Sequence, residues 1–349
     1  MDSGEFRTLS ELFLKATEEH PKPDAFLFKS AGKYRSLSSG EALQQVAALA
    51  AALERLGLAR GERLAIVAEN RLEWALTDYA ALGLGAVDVP LYPTLLEPDI
   101  EYMLRDSEAK GVVVSTETQL KKVLNIRSRL PELKFVLCMD RVASVGTGVQ
   151  SWHGVLSDEL HRLADPVEFL RRKAKEVRPE DTASILYTSG TSGEPKGVVL
   201  THANFVSNVQ ACQPLFPLGP DDVGMSFLPL CHVFERMLDY FYFAAGACVA
   251  YAESLGTLAQ NFLEVRPTIM GIVPRVLEKI HDRVHEAIRQ TPWPKRKLFS
   301  WALAVGRRCF LYRLENRTAP TGLRLQHVLA DRLVCSKVRA RLGGRAKYV

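Results

Sequence analysis

What most limits the folds open to this chain is a hydrophobic period that switches repeatedly through its first half. Residues 63–68 read Arg-Leu-Ala-Ile-Val-Ala, a nearly continuous apolar run of the kind found in a strand buried on both faces of a parallel sheet. The period becomes helical over 72–84, extended over 86–89, helical over 99–107, extended over 111–115, helical over 118–129 and extended over 135–139. Strands alternating with helices require right-handed crossovers. The spacing therefore predicts an α/β fold, mostly parallel sheets covered by helices. The same reading gives a helix over 8–20, a short strand at 25–28 and an Ala/Leu-rich helix over 39–56. At 349 residues the chain exceeds one ordinary core, and two α/β lobes are expected, 1–180 and 181–349.

Composition narrows the class. With 47% hydrophobic and 24% charged residues the chain has enough apolar material for a packed core, which argues against a largely disordered protein. The six cysteines are scattered, with no C-x-x-C pair and no zinc-like spacing, and read as reduced residues of a cytoplasmic protein. Residues 1–7 lack the apolar segment of a secretory signal, and no run of 18 apolar residues occurs.

Charge is uneven. From Trp293 onward there are fourteen lysines and arginines against Glu315 and Asp331, so a chain of net charge +5 is negative, about −7, over its first 292 residues. In that stretch Trp293, Phe299, Trp301, Phe310 and Tyr312 interleave with the cations. The asymmetry suggests that this stretch meets something anionic, such as a bilayer surface, although a solvated helical face with its aromatics packed on the preceding lobe is the more common explanation. No groove-binding motif accompanies the charge, which argues against nucleic acid.

Two glycine-bearing stretches invite comparison with nucleotide sites. Gly83, Gly85 and Asp88 make half of a dinucleotide fingerprint, but the third glycine is missing and the pair ends a helix before a strand. The fingerprint needs the reverse order, so these glycines are read as close packing. Residues 187–197, Tyr-Thr-Ser-Gly-Thr-Ser-Gly-Glu-Pro-Lys-Gly, lie between the apolar runs 183–186 and 198–200. This is expected to be a loop between two strands. Its hydroxyls and bare amides suit phosphate oxygens, Lys196 supplies a mobile cation, and Gly190, Gly193 and Gly197 are expected to allow positive φ. It is not a Walker A loop, since Gly197 follows Lys196. The eleven residues resemble the phosphate loop of the acyl-adenylate-forming enzymes. The residues after it, Thr201-His202-Ala203-Asn204, fit the same family, with Thr201 as a helix N-cap and His202 as a structural residue.

A second segment, 225–236, reads Met-Ser-Phe-Leu-Pro-Leu-Cys-His-Val-Phe-Glu-Arg. It places residues 231–234 at a strand end, where open α/β sheets bind ligands. With the loop, it resembles the long-chain fatty acyl-CoA synthetases, as does Arg-Pro-Thr-Ile-Met-Gly-Ile-Val-Pro-Arg-Val-Leu-Glu-Lys at 266–279. The resemblance implies that Thr188, Ser189, Gly190, Thr191, Ser192, Gly193 and Lys196 hold ATP phosphates. It also implies that His232 lies near the reacting carboxylate, and that Phe234 or Arg236 borders the acyl tunnel.

The implied reaction uses ATP, Mg2+ and coenzyme A to turn a fatty acid into acyl-adenylate and then acyl-CoA. Rival readings are a ligase for aryl or amino acids and a non-catalytic nucleotide- or membrane-binding module. The family's Tyr-Gly-x-Thr-Glu motif, its adenine-binding strand, its metal-binding glutamate and its C-terminal domain with a catalytic lysine are not found in the 349 residues. No metal ligand is therefore assigned. The expectation is an N-terminal portion of a longer enzyme, inactive alone.

Overall fold

The computed structural model describes residues 6–142, 148–188 and 194–348. The chain divides into two units, Met1–Leu255 and Gly256–Val349. The first opens with α1 (Leu9–Glu19), β1 (Phe26–Ser30), β2 (Lys33–Leu37), α2 (Ser39–Arg55), β3 (Arg63–Val67), α3 (Leu72–Gly83) and β4 (Val87–Leu91). It continues through α4 (Glu97–Asp106), β5 (Gly111–Val114), α5 (Glu117–Ile126), β6 (Phe135–Cys138), β7 (Val149–Ser151), α6 (Trp152–Arg162) and α7 (Pro166–Ala174). Then come β8 (Thr182–Thr188), β9 (Lys196–Thr201), α8 (His202–Cys212), β10 (Val223–Ser226), α9 (Val233–Ala244) and β11 (Cys248–Tyr251).

The predicted alternation is realised as a sheet in the order β7-β6-β5-β3-β4-β8-β9. Its neighbours are parallel throughout except for the antiparallel β8–β9 hairpin. β3 and β5 are apolar and buried because both faces are covered. Ile100, Met103 and Leu104 of α4 and Leu120, Val123 and Ile126 of α5 pack in the same core cluster as Val67, Val112 and Val136. A second sheet carries β10, β11 and β1 in parallel and β2 antiparallel to β1.

Local chemistry sets the element ends. Thr8 and Glu11 form a reciprocal capping box on α1, and Ser38 and Glu41 do the same on α2. Gly83 leaves room for a neighbour, because a Cβ there would stand 2.4 Å from Leu170 Cδ1 of α7. Close packing is thus the reason for that glycine.

Two expectations change in detail, the lobe boundary and the strand end at 231–234, and two elements go beyond the sequence reading. The boundary near residue 180 falls inside the first unit, because the crossover from α7 returns the chain beside β4, where Ser184 registers with Asp88. β2 follows the turn Ala31-Gly32, both at positive φ, a turn that Ala disguises because the usual residues at such positions are Asn, Asp or Gly. After β7 the charged stretch forms two helices, α6 and α7, with Asp165 capping the second, which has Pro166 in its first turn. Residues 231–234 are not a strand end: β10 stops at Ser226, and His232 is the N-cap of α9.

The second unit holds α10 (Leu258–Val265), β12 (Ile269–Met270), α11 (Pro274–Arg289), α12 (Trp293–Leu314), α13 (Thr321–Ala330) and α14 (Ser336–Arg341). Between α10 and α11 the only strand among the described residues is the two-residue β12. Ala302, Val305, Leu323 and Ala330 make a small core, with Trp301, Cys309 and Tyr312 packed against it. Among the described residues no helix is long and apolar enough to cross a membrane.

In the first unit α9 is seated on β10 through an absent side chain. A Cβ on Gly224 would lie 2.2 Å from Tyr242 Cδ2, and the Tyr242 ring is fully buried, so it has nowhere to retreat. Alanine gains up to about 1 kcal/mol of backbone entropy over glycine, while overpacking of this kind costs about 1–3 kcal/mol. Gly224→Ala is expected to lower the unfolding free energy measured by urea titration by about 1 kcal/mol net; an unchanged or higher value contradicts this packing.

Candidate active site

The β8–β9 hairpin carries the first part of the site. Its register ends with Thr188 opposite Lys196, and both side chains are exposed. Ser189, Gly190, Thr191, Ser192 and Gly193 lie outside the described residues. The end of β8 is fastened laterally: Tyr187 Oη donates to Asp106 Oδ2 at 2.6 Å. Burial, followed by the Asp106 carboxylate, holds the phenol above its usual pKa. Gly197 sits in β9 without the positive φ expected of it. Space explains it instead, since a Cβ would stand 2.8 Å from Ile185 Cγ2.

Beyond β9, Thr201 caps α8 and exchanges hydrogen bonds with Asn204, Asn204 N–H to Thr201 Oγ1 at 3.2 Å and Thr201 N–H to Asn204 Oδ1 at 2.9 Å. His202 follows, fully buried. Its Nδ1 accepts from the Leu9 N–H at 3.2 Å, and Nε2 has no hydrogen-bond partner among the described residues. Burial depresses the imidazole pKa to about 4, so the ring is neutral. His202 joins the start of α8 to the start of α1 and is structural, as its sequence context implied.

The second part of the site is the first turn of α9. His232, the N-cap, accepts the Phe234 N–H on Nδ1 at 3.4 Å. Both side chains are exposed, Phe234 to 39%. Cys231, just before them, is buried, and burial pushes its thiol up to about 12. The approach to this turn is fixed by side chains: Asn70 Nδ2 donates to the Leu228 carbonyl at 2.5 Å and Asn70 Oδ1 accepts the Leu230 N–H at 3.0 Å. Glu235 reaches back to accept the Phe227 N–H at 2.7 Å, and Asp239 accepts from Ser226 Oγ at 3.1 Å. Burial pushes Glu235 well above the carboxylate range and Asp239 up to about 8, so both are held as neutral acids.

Arg236 behaves differently from His232 and Phe234. It is fully buried, with its guanidinium aimed at the sheet. Nη2 donates to Asp78 Oδ1 at 2.5 Å, Nε to Tyr240 Oη at 2.7 Å and Nη1 to Ser184 Oγ at 2.7 Å. Nη1 also lies 2.9 Å from Asp88 Oδ2, out of line for a hydrogen bond. Tyr240 Oη donates in turn to Asp78 Oδ2 at 2.5 Å. The rings of Phe205 and Trp74 stand 5.2 and 5.6 Å from Cζ, within cation–π range. Burial opposes the charge on Arg236, but Asp78, Tyr240 and Asp88 outweigh it and the guanidinium stays protonated. Burial raises both aspartates, Asp88 the further. Of the expected acyl-site residues, then, the structure presents His232 and Phe234 at the surface and commits Arg236 to the interior. Asp78, Asp88, Ser184 and Tyr240 were not singled out as partners of Arg236 by sequence.

A cavity of about 510 Å³ lies at the other end of α9, bordered by Leu12, Phe216, Phe241 and Ala244, about 18 Å along the helix from His232 at 1.5 Å per residue. Among the described residues no group of three or more His, Cys, Asp or Glu is placed to hold a metal ion.

Residues 13–333 match the family described as AMP-binding enzyme. The chain is 32% identical over 324 residues to fatty acyl-CoA synthetase A of Dictyostelium discoideum, covering 91% of this chain and 46% of that protein. It is 30% identical over 342 residues to the long-chain-fatty-acid--CoA ligase FadD15 of Mycobacterium bovis, covering 94% and 54%. It thus spans about half the length of these relatives. In fold it is similar to the inhibitor-bound N-terminal domain of FACL13 from Mycobacterium tuberculosis, with a TM-score of 0.65 at 23% identity over 82% of this chain and 66% of that one.

The buried imidazole has a measurable consequence. His202 titrates near 4 when folded and near 6.5 when unfolded, so between these values the unfolded chain binds more protons and stability falls as the pH drops. Above about 6.5 the contribution is constant. Between pH 7 and pH 4 the wild type is expected to lose about 3 kcal/mol more unfolding free energy than His202→Gln, measured by urea titration; equal losses contradict a buried neutral His202.

Proposed function

Because the chain belongs to the AMP-binding enzyme family, we propose that it carries the phosphate-binding and carboxylate-facing parts of an ATP-dependent ligase that activates a long-chain fatty acid as acyl-adenylate and passes it to coenzyme A. One observation carries this reading. The exposed Thr188/Lys196 pair closes the β8–β9 hairpin, and its β8 arm is the strand that Arg236 ties, through Ser184, to α9, the helix whose exposed N-cap is His232. The names of the relatives support the fatty-acid class over aryl or amino acids.

The proposed roles follow from side-chain chemistry. A carboxylate lacks a good leaving group, so its oxygen attacks the α-phosphorus of ATP and pyrophosphate departs; the thiol of coenzyme A then displaces AMP. No protein nucleophile is needed, and the task is positioning and charge stabilisation. Lys196 offsets charge on the departing pyrophosphate, Thr188 donates to a phosphate oxygen, and Ser189, Gly190, Thr191, Ser192 and Gly193 are assigned to the same phosphates from their sequence. His232 Nε2 orients the carboxylate, and Phe234 borders the acyl entrance in place of Arg236. The described residues supply no cluster of acidic or histidine side chains for Mg2+, which would offset phosphate charge when bound, and none is assigned to coenzyme A.

We also propose peripheral contact with an anionic membrane through the second unit. On α12 Trp293, Phe310 and Leu314 are 61%, 58% and 63% exposed, and Arg296, Arg307 and Arg308 of the same helix are exposed too. Phe299, expected to join them, is buried.

Two measurements test these proposals. In the protein carrying this chain, Lys196→Ala is expected to slow palmitate-dependent ATP–pyrophosphate exchange by roughly tenfold to a hundredfold, the value of a charge-assisted hydrogen bond of about 1.5–3 kcal/mol; an unaltered rate in a folded variant contradicts the assignment. Co-sedimentation with phosphatidylserine vesicles is expected at low salt and should weaken as salt is raised, whereas absence of binding at low salt rules the membrane contact out.

A further inference from the structure

We infer that Arg236 is a positioning residue: through Ser184 it clamps the first turn of α9, with Cys231, His232 and Phe234, to the strand that leads into the phosphate segment. Its meaning for catalysis rests on the ligase reading; its geometry does not.

The contacts go beyond what charge balance requires. A guanidinium buried only to neutralise an acid would need Asp78. Arg236 also gives Nη1 to Ser184 of β8, and Ser184 uses its other hydroxyl function to donate to the Asp88 carbonyl of β4 at 2.9 Å. One side chain from α9 is therefore hydrogen-bonded to α3 and β8 and, at one remove, to β4. The flat fork of arginine is held in plane by Phe205 and Trp74, and a lysine, a single point charge, cannot reach the same acceptors at once.

The clamp acts where the exposed site begins. The Arg236 N–H donates to the His232 carbonyl at 3.3 Å, so the guanidinium anchors the turn that His232 caps. The segment before this turn has separate fastenings in Asn70 and Glu235. A displacement of β8 is thus passed to His232 by Ser184 and Arg236, and the distance between phosphate-binding and carboxylate-facing groups is set from beneath.

Cys231 reports on this turn without any substrate. It is 6% exposed, and Cys138 in β6 and Cys248 in β11, both fully buried, belong to other elements and serve as internal references for each variant against wild type. The test is alkylation of the intact chain by N-ethylmaleimide, resolved cysteine by cysteine by peptide mass spectrometry, in wild type, Ser184→Ala and Arg236→Lys. Ser184→Ala removes one hydroxyl and leaves the Arg236–Asp78 pair in place, so it decides the matter even where Arg236→Lys does not fold. Loss of a hydrogen bond to a charged group is expected to speed labelling of Cys231 about tenfold, with Cys138 and Cys248 unchanged. Labelling of Cys231 within about twofold of wild type overturns the inference. So does a parallel rise at all three cysteines, which marks general loosening. Because no nucleotide or fatty acid is used, failure here leaves the ligase reading standing, and failure of pyrophosphate exchange leaves the clamp standing.

Discussion

A single guanidinium holds the first unit together beneath the turn that carries His232. Arg236 is bonded to Asp78, Ser184 and Tyr240 with no exposure to solvent. Surface pairs such as Lys121–Glu117 or Arg171–Glu18 are worth about 0–1 kcal/mol each. Breaking one partner out of a buried pair costs about 3–5 kcal/mol, so no surface pair competes with this one in fixing how α3, α9 and the sheet meet. The excess of buried acid around it is tolerated because Glu235, Asp239 and Asp88 are pushed toward their neutral forms by burial, which removes charges that one arginine could not balance.

That arrangement links two segments some 36–44 residues apart in the chain, Thr188 and Lys196 on one side and His232 on the other. The hairpin presents a hydroxyl and a cation on the end of β8 and β9, and α9 presents an imidazole and a phenyl ring at its N-terminal turn. The proposed reaction asks no more of them than that two substrates be held in register and charge be absorbed as pyrophosphate leaves. Rigid support beneath exposed groups is what such positioning requires.

Much of this was legible in the residues. The apolar runs of β3, β5 and β6 and the helical stretches between them are long and strongly patterned, so the parallel sheet followed directly. The phosphate segment declared itself by eleven residues of unusual order. The start of α9 was hidden because Val-Phe-Glu-Arg follows a proline-broken β-run and is rich in residues that also suit strands. Its helical signal lay in spacing: Glu235 with Asp239 and Arg236 with Tyr240, each four apart. The partnership of Arg236 was hidden for another reason. Asp78 and Asp88 stand as lone acids in apolar surroundings, which signals a buried partner, but Asp78 meets Arg236 from 158 residues away, a separation that local pattern cannot bridge. His202, by contrast, was read as structural from its place after the Thr201 cap.

The proposed function turns on a carboxylate oxygen attacking the α-phosphorus of ATP. Palmitate labelled with 18O in its carboxylate, incubated with ATP and coenzyme A and the protein carrying this chain, tests that bond directly by mass spectrometry of the products. The account predicts one 18O atom in the released AMP, left there when the thiol cleaves the acyl–oxygen bond; label in inorganic phosphate, or AMP formed without label, would contradict it.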